Sequence, residues 1–225
     1  MSTARTIIKN RVKAGNTVIG VGCYSAAIET RSDDKVLKVG NTTCDPWLEY
    51  YERVIKVNPN NPHLPKVHSI HVDSDNDYYV AVVEKLYEHY ERWMGDRCGE
   101  DMLEETVRRC CSDASFNREK MNYELEACET CYGEYDSVQL YTACRQIRDL
   151  VSMSYQDADC DCEYYLEEDE ECPHSGYERL SVDLHTNNIL YRKDGTLVIN
   201  DPVCDADMED VDDLSIWADD MEIVE

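Results

Sequence analysis

Asp183, Asn188 and Asp201 are the residues whose types and spacing could do chemistry, and all three offer hard oxygen donors. Two carboxylates and an amide oxygen suit magnesium carried by a nucleotide, whose phosphates and water complete the coordination. The reaction served by such a set is phosphoryl transfer. The residues between them predict how they are positioned. Ile189-Leu190-Tyr191 and Leu197-Val198-Ile199 are short apolar runs flanking a turn at residues 192–195, where Asp194-Gly195 supplies the positive backbone angles of a tight hairpin. A strand beginning near Ile189 and another ending near Ile199 would hold Asn188 beside Asp201, with Asp183 on the loop just before.

Upstream, residues 18–29 read as strand, glycine turn, strand, and Lys35-Val36-Leu37-Lys38-Val39 alternates as a third strand. Gly20, Gly22 and Ser25 form a spacing that lets backbone amides approach a phosphate, although glycines are also ordinary in hairpins. Asp45-Pro46 is a helix start, a capping carboxylate followed by proline at the first helical position, and the helix is expected over 47–57. Glu49 and Glu52 lie on it, and either could pair with Lys38 or remain solvated. Residues 67–70 and 78–83 are further strands, leading into the connector Glu84-Lys85-Leu86. The pattern then turns helical, with amphipathic segments at 100–111 and 137–151, the latter presenting Leu140, Ala143, Cys144, Ile147, Leu150 and Val151 on one side.

The length of 225 residues suits one sizeable domain or one domain of two lobes, and 42% hydrophobic content is compatible with a packed core. One Phe against 16 Tyr and 3 Trp rests aromatic packing on tyrosine. No apolar run of about 18 residues predicts a membrane span, and the first residues lack the apolar core of a signal peptide. The net charge of -26 is concentrated beyond residue 96, whereas residues 1–60 are slightly basic. Such a surface repels nucleic acid and attracts basic proteins. Residues 153–172 carry many carboxylates and no Lys or Arg, and are expected as a mobile loop or interaction patch; residues 205–225 are similarly acidic.

Twelve cysteines with no export signal read as reduced thiols of a cytosolic protein. Cys128, Cys131, Cys160, Cys162, Cys172 and His174 could be assembled into a zinc site, but their spacing is loose and their surroundings carboxylate-rich.

The pieces occur in protein-kinase order: glycine loop, strand lysine, helix glutamate, hinge, catalytic loop, metal aspartate. Over about residues 17–90 and 137–204 the chain resembles the early serine/threonine protein kinases of T-seven-type bacteriophages. The likeness rests on residues 23–27, 35–40, 64–67, 182–189 and 199–203. It implies an α+β, protein-kinase-like two-lobed fold. An arm at 1–16 would precede an N-lobe at 17–86, an antiparallel sheet plus one helix. A reduced, mostly helical C-lobe at 87–204 would follow, with an acidic insert at about 153–176 and a tail at 205–225.

The resemblance also implies roles. Gly20, Gly22 and Ser25 would cover the phosphates of ATP, Lys38 would hold its alpha and beta phosphates, and Glu49 or Glu52 would orient Lys38. Residues 83–86, including Glu84 and Leu86, would meet the adenine. Asp183 would accept or position the proton of the attacking hydroxyl, and Asn188 and Asp201 would hold magnesium. His185 would lie near the gamma phosphate or serve as a hydrogen-bonded structural histidine.

Kinases of this type modify host proteins, transcription and RNA-processing machinery among them, in the bacterial cytoplasm, and no direct contact with nucleic acid or membrane is implied. The chain departs from the pattern where Ser181-Val182 replace the usual His-Arg, and where Pro202-Val203 replace Phe-Gly. Few residues follow Asp201, so substrate recognition is expected from elsewhere, with the acidic segments as candidates for attracting basic targets. Some relatives add a basic C-terminal region that shuts off host transcription; no such activity is carried over. Two other readings compete: a small-molecule phosphotransferase of aminoglycoside or choline kinase type, and a non-catalytic acidic protein occupying a basic host surface.

Overall fold

The computed structural model describes residues 3–22, 24–42, 45–88, 97–127, 137–158 and 180–206. The cysteine and histidine set considered for zinc lies outside them, as do residues 159–176 of the acidic insert and 207–225 of the acidic tail; residues 153–158 of the expected insert instead continue a helix and Asp205 ends a strand. The class is α+β, and the chain divides into two units. The first holds residues 3–48 and Pro65–Lys85; the second holds Glu49–Leu64 and residues 86–206.

The first unit is an antiparallel sheet in the order β1-β2-β3-β5-β4, built from Val18–Val21, Ser25–Glu29, Lys35–Gly40, Val67–Asp73 and Tyr78–Glu84 (β1 to β5). Burial alternates along β2 and β5 and covers both faces of β3, as expected of the strands at its centre. In register, Leu37 faces Ile28 and Val82, while Val39 faces Ala26 and Val80. These residues line one face. Within the arm expected at residues 1–16, Ala4–Lys13 form helix α1, which packs on that face through Ala4 and Ile8. The reason is legible in the spacing: Ala4, Ile7, Ile8 and Val12 make one apolar stripe, and Thr3 caps the helix by accepting the Thr6 N–H.

The other face of the sheet carries Val36, Lys38, Tyr79, Ala81 and Val83, the alternate positions of the same strands. Trp47, in helix α2 (Pro46–Tyr50), stacks on Tyr79 with ring centroids 5.5 Å apart. Asp45 caps α2 as expected, its Oδ1 accepting the Trp47 N–H at 3.0 Å, and its other oxygen accepts the Tyr79 hydroxyl. Gly40 runs beneath this pair. A Cβ there would stand 2.6 Å from Asp45 Oδ2 and 2.7 Å from Tyr79 Cε1, so glycine is required.

In the second unit, α2 ends and the chain widens into a π-helical turn over Tyr51–Ile55. Helices α3 (Arg97–Ser112), α4 (Arg118–Ala127) and α5 (Ser137–Ala158) follow. Leu103, Val107 and Cys110 of α3, Met121 of α4, and Leu140, Ala143, Cys144, Ile147 and Leu150 of α5 are buried, so the stripe expected on α5 is the one that packs. Arg148 ties the end of α3 to the following turn, donating to the carbonyls of Asp113 at 2.7 Å and Phe116 at 3.1 Å. Cys110, Cys111 and Cys144 are buried free thiols. A hydrogen bond from Cys144 together with burial pushes the Cys110 thiol well up, which suits core residues rather than nucleophiles.

Two small antiparallel pairs complete the unit: β6 (Leu180–Val182) with β9 (Val203–Asp205), and β7 (Ile189–Tyr191) with β8 (Leu197–Ile199). The hairpin expected from Asp194-Gly195 forms, with Gly195 at φ +88° and Asp194 accepting the Thr196 N–H at 2.9 Å. Among the described residues no helix is long and apolar enough to cross a membrane.

Candidate functional site

β6 ends at Val182 and β9 begins at Val203, and these two residues are paired. The segment 183–188 therefore leaves the sheet opposite the segment 200–202. Two backbone bonds fix the segments to each other: Asp183 N–H donates to the Pro202 carbonyl, and Asn200 N–H donates to the Asn188 carbonyl, each at 2.8 Å. Asp201 is thus bracketed, its preceding residue bonded to Asn188 and its following residue to Asp183. Side-chain bonds tighten the cluster. Asn188 Nδ2 donates to the Asp183 carbonyl at 2.7 Å and lies 3.3 Å from Asp183 Oδ2.

His185 closes the ring. Its Nδ1 accepts the Asn187 N–H at 3.2 Å, and its Nε2 lies 3.1 Å from Asn188 Nδ2 and 3.8 Å from Asp183 Oδ1. The single turn Thr186–Asn188 is closed by the Asn188 N–H donating to the His185 carbonyl at 2.8 Å. Asp183, His185, Asn188 and Asp201 therefore come together in the second unit, as their spacing implies.

The remaining residues singled out in the sequence divide between the units. Glu49 and Glu52 belong to the second, where Glu49 pairs with Arg53 and Glu52 pairs with Lys56 at 2.5 Å, each four residues along the chain. Leu86 precedes Tyr87, which exchanges both backbone hydrogen bonds with Tyr191 at 2.8 and 2.9 Å and so fastens the connector to β7. Glu84, at the end of β5 in the first unit, donates its N–H to the Lys66 carbonyl and accepts the Lys66 N–H on its carboxylate.

Also in the first unit, Lys38 sits in the middle of β3, 8% exposed, with its ammonium 4.9 Å from the centroid of the Trp47 ring. A cation over an indole face is stabilised by the ring quadrupole. Gly20 and Gly22 flank the end of β1, with the Gly22 N–H donating to the Ser25 carbonyl at 2.8 Å. Among the described glycines only Gly15 and Gly195 have positive φ. A Cβ at Gly20 or Gly22 would meet its nearest atom at 3.8 or 3.7 Å, ordinary contact. The fold itself does not demand glycine at either position.

Three contributors escape a reading of the sequence. Tyr50 is fully buried and donates its hydroxyl to the Ile199 carbonyl at 2.7 Å, two residues before Asp201. Burial holds its phenol well above the usual range, so it stays a donor. A buried tyrosine hydroxyl usually finds such a partner. His63 flanks β8, accepting the Ile199 N–H on its carbonyl at 2.9 Å, with its Nδ1 2.9 Å from the Leu197 carbonyl. Arg108 of α3 donates Nε to the Leu184 carbonyl at 3.0 Å, a contact no local pattern announces.

Among the described residues no group of three or more His, Cys, Asp or Glu could hold a metal ion. No protein-family model and no curated protein matches the chain.

Proposed function

We propose that the chain is an ATP- and magnesium-dependent serine/threonine protein kinase of reduced protein-kinase-like fold, acting on host proteins in an infected bacterial cytoplasm. The observation that carries this reading is the bracketing of Asp201, whose neighbours Asn200 and Pro202 are bonded to Asn188 and Asp183, so that Asp183, Asn188 and Asp201 lie on two short loops tied to each other. The two units then correspond to an N-lobe and a shortened C-lobe. Gly20 and Gly22 are compatible with this reading, because a Cβ at either would meet only ordinary contacts, so the strand geometry does not account for glycine there.

In this reading Asp183 accepts or orients the proton of the substrate hydroxyl, and Asn188 and Asp201 hold magnesium. When bound, the metal would neutralise charge on the phosphate oxygens. Lys38 pairs with the non-transferred phosphates, and the backbone at Gly20, Gly22 and Ser25 covers them. The loose transition state asks for alignment and charge neutralisation rather than a covalent intermediate on the protein. Bonds to Pro202, Asn200 and Asn188 supply that alignment before substrate arrives.

Incubation with labelled ATP, magnesium and bacterial lysate tests the proposal, beside Asp183→Ala and Asp201→Asn. Labelled protein bands that vanish in both variants are expected. Labelling that persists in both variants, or none with wild type, overturns it; nucleotide binding without transfer to protein points instead to a small-molecule phosphotransferase.

A further inference from the structure

The segment that carries Asp183 has three carbonyls to satisfy after β6 ends. The Asp183 carbonyl accepts from Asn188 Nδ2, and the His185 carbonyl accepts from the Asn188 N–H. Both bonds are local. The Leu184 carbonyl, between them, accepts from Arg108 Nε on α3, 76 residues earlier in the chain. Leu184 itself is buried, so its side chain and its carbonyl are both held.

Neighbouring arginines have other work. Arg109 pairs with Glu124 at 2.6 Å and lies over Phe116, and Arg148 holds the end of α3. Arg108 also pairs through Nη1 with Glu105 at 2.8 Å, one turn back on α3, an exposed contact that does not touch the loop. A guanidinium offers several donors in one rigid plane, so its Nε can reach the Leu184 carbonyl independently of that pair.

We infer that Arg108 is a positioning residue for the phosphotransfer site, acting on Asp183 and His185 through the carbonyl of Leu184. This rests on the kinase reading above. The position before Asp183 is Val182, so no arginine adjacent in sequence can steady the loop, and α3 supplies one instead.

The test compares Arg108→Ala with Glu105→Gln, which removes the ion pair and keeps the bond to Leu184. Arg108→Ala is expected to lower kcat about 10- to 100-fold with the KM for ATP nearly unchanged, because the reacting group is misplaced while nucleotide contacts persist. Glu105→Gln is expected to stay within about twofold of wild type, as for an exposed ion pair. Amide exchange gives a second readout independent of activity: in Arg108→Ala the N–H of Asn188 should exchange about tenfold faster, and in Glu105→Gln it should not. Unchanged kcat in Arg108→Ala overturns the inference. Should the wild-type chain transfer no phosphate, the kinase proposal falls on that result alone, and unchanged exchange at Asn188 then overturns the role of Arg108. Should Arg108→Ala fail to fold, Arg108→Gln, which keeps more of the stem, takes its place in both measurements.

Discussion

The backbone N–H of Asp183 donates to the carbonyl of Pro202 at 2.8 Å. Proline has no N–H of its own, so residue 202 takes part in the ladder only as an acceptor. The bond sits directly beyond the paired Val182 and Val203, and it carries the β6–β9 register one step into the loops that hold Asp183 and Asp201. Asp183→Ala leaves this backbone bond intact while removing the carboxylate. The expected outcome is a folded protein whose phosphotransfer rate falls by about 10²–10⁴-fold, the usual range for losing a general base. Steady-state kinetics beside a thermal melt measures both quantities. A rate within tenfold of wild type would remove Asp183 from the chemistry.

Asp201→Asn keeps the shape of the residue between Asn200 and Pro202 and removes its charge. A carboxylate ligand binds magnesium far better than a neutral amide. Activity should therefore fall and recover in part as magnesium is raised, whereas raising ATP at fixed free magnesium should not restore it. A magnesium titration of the initial rate decides, and an unchanged magnesium dependence speaks against Asp201 as ligand.

Tyr50→Phe removes the hydroxyl that bonds the Ile199 carbonyl and leaves a buried acceptor short of a partner. The cost should be about 1–3 kcal/mol, read as a fall in melting temperature of about 2–4 °C for each kcal/mol in a chain of this size. Exchange at the Asn200 amide, bonded to Asn188 one residue beyond, should quicken in the same variant. A melt indistinguishable from wild type would mean that the hydroxyl bond adds nothing to the end of β8.

Acid should weaken the fold with a definite sign. The side chain of Asn76 holds Asp73 below the ordinary carboxylate value, as the hydroxyl of Ser115 does for Asp113 and the Thr196 backbone N–H does for Asp194. A depressed folded pKa contributes stability that is complete above the unfolded value of about 3.9 and is lost as pH falls through the folded values. Urea midpoints should accordingly drop as pH falls below about 4, and Asp194→Asn, which keeps an acceptor and loses the titration, should drop less. A midpoint that rises on acidification contradicts the assignment.

How much could be read from the chain depended on the range of the interaction. The β7–β8 hairpin was legible because Asp194-Gly195 encodes its turn locally and the register then follows. The same register brings Asn188 to Asn200, so one half of the bracket around Asp201 was implied. Helix α1 was harder. Its stripe of Ala4, Ile7, Ile8 and Val12 was present, but four basic residues interleave it, and only the sheet face supplied by β2 and β3 makes burial favourable. Arg108 and Tyr50 act across long separations on backbone carbonyls. A carbonyl is present at every residue, so nothing in the sequence marks which one is reached.

The glycines give the sharpest separation of fold from ligand. At Gly40 a Cβ would overlap Asp45 Oδ2 and Tyr79 Cε1, both parts of a buried hydrogen-bonded pair beside Trp47. Neither neighbour can retreat, so Gly40→Ala should cost about 1–3 kcal/mol and should impair activity only as far as it unfolds the protein. At Gly20 and Gly22 the added methyl meets ordinary contacts at 3.8 and 3.7 Å, and neither residue needs a positive φ. Alanine loses less chain entropy on folding, so stability should hold or rise by about 0.5–1 kcal/mol. If backbone amides there approach phosphate, the same methyl groups stand in the way. The KM for ATP should then rise about tenfold, equivalent to ~1.4 kcal/mol of binding. Melts and ATP titrations of the three variants settle the matter together: a stable Gly22→Ala protein with wild-type KM would make these glycines features of the strand alone, whatever the fate of Gly40→Ala.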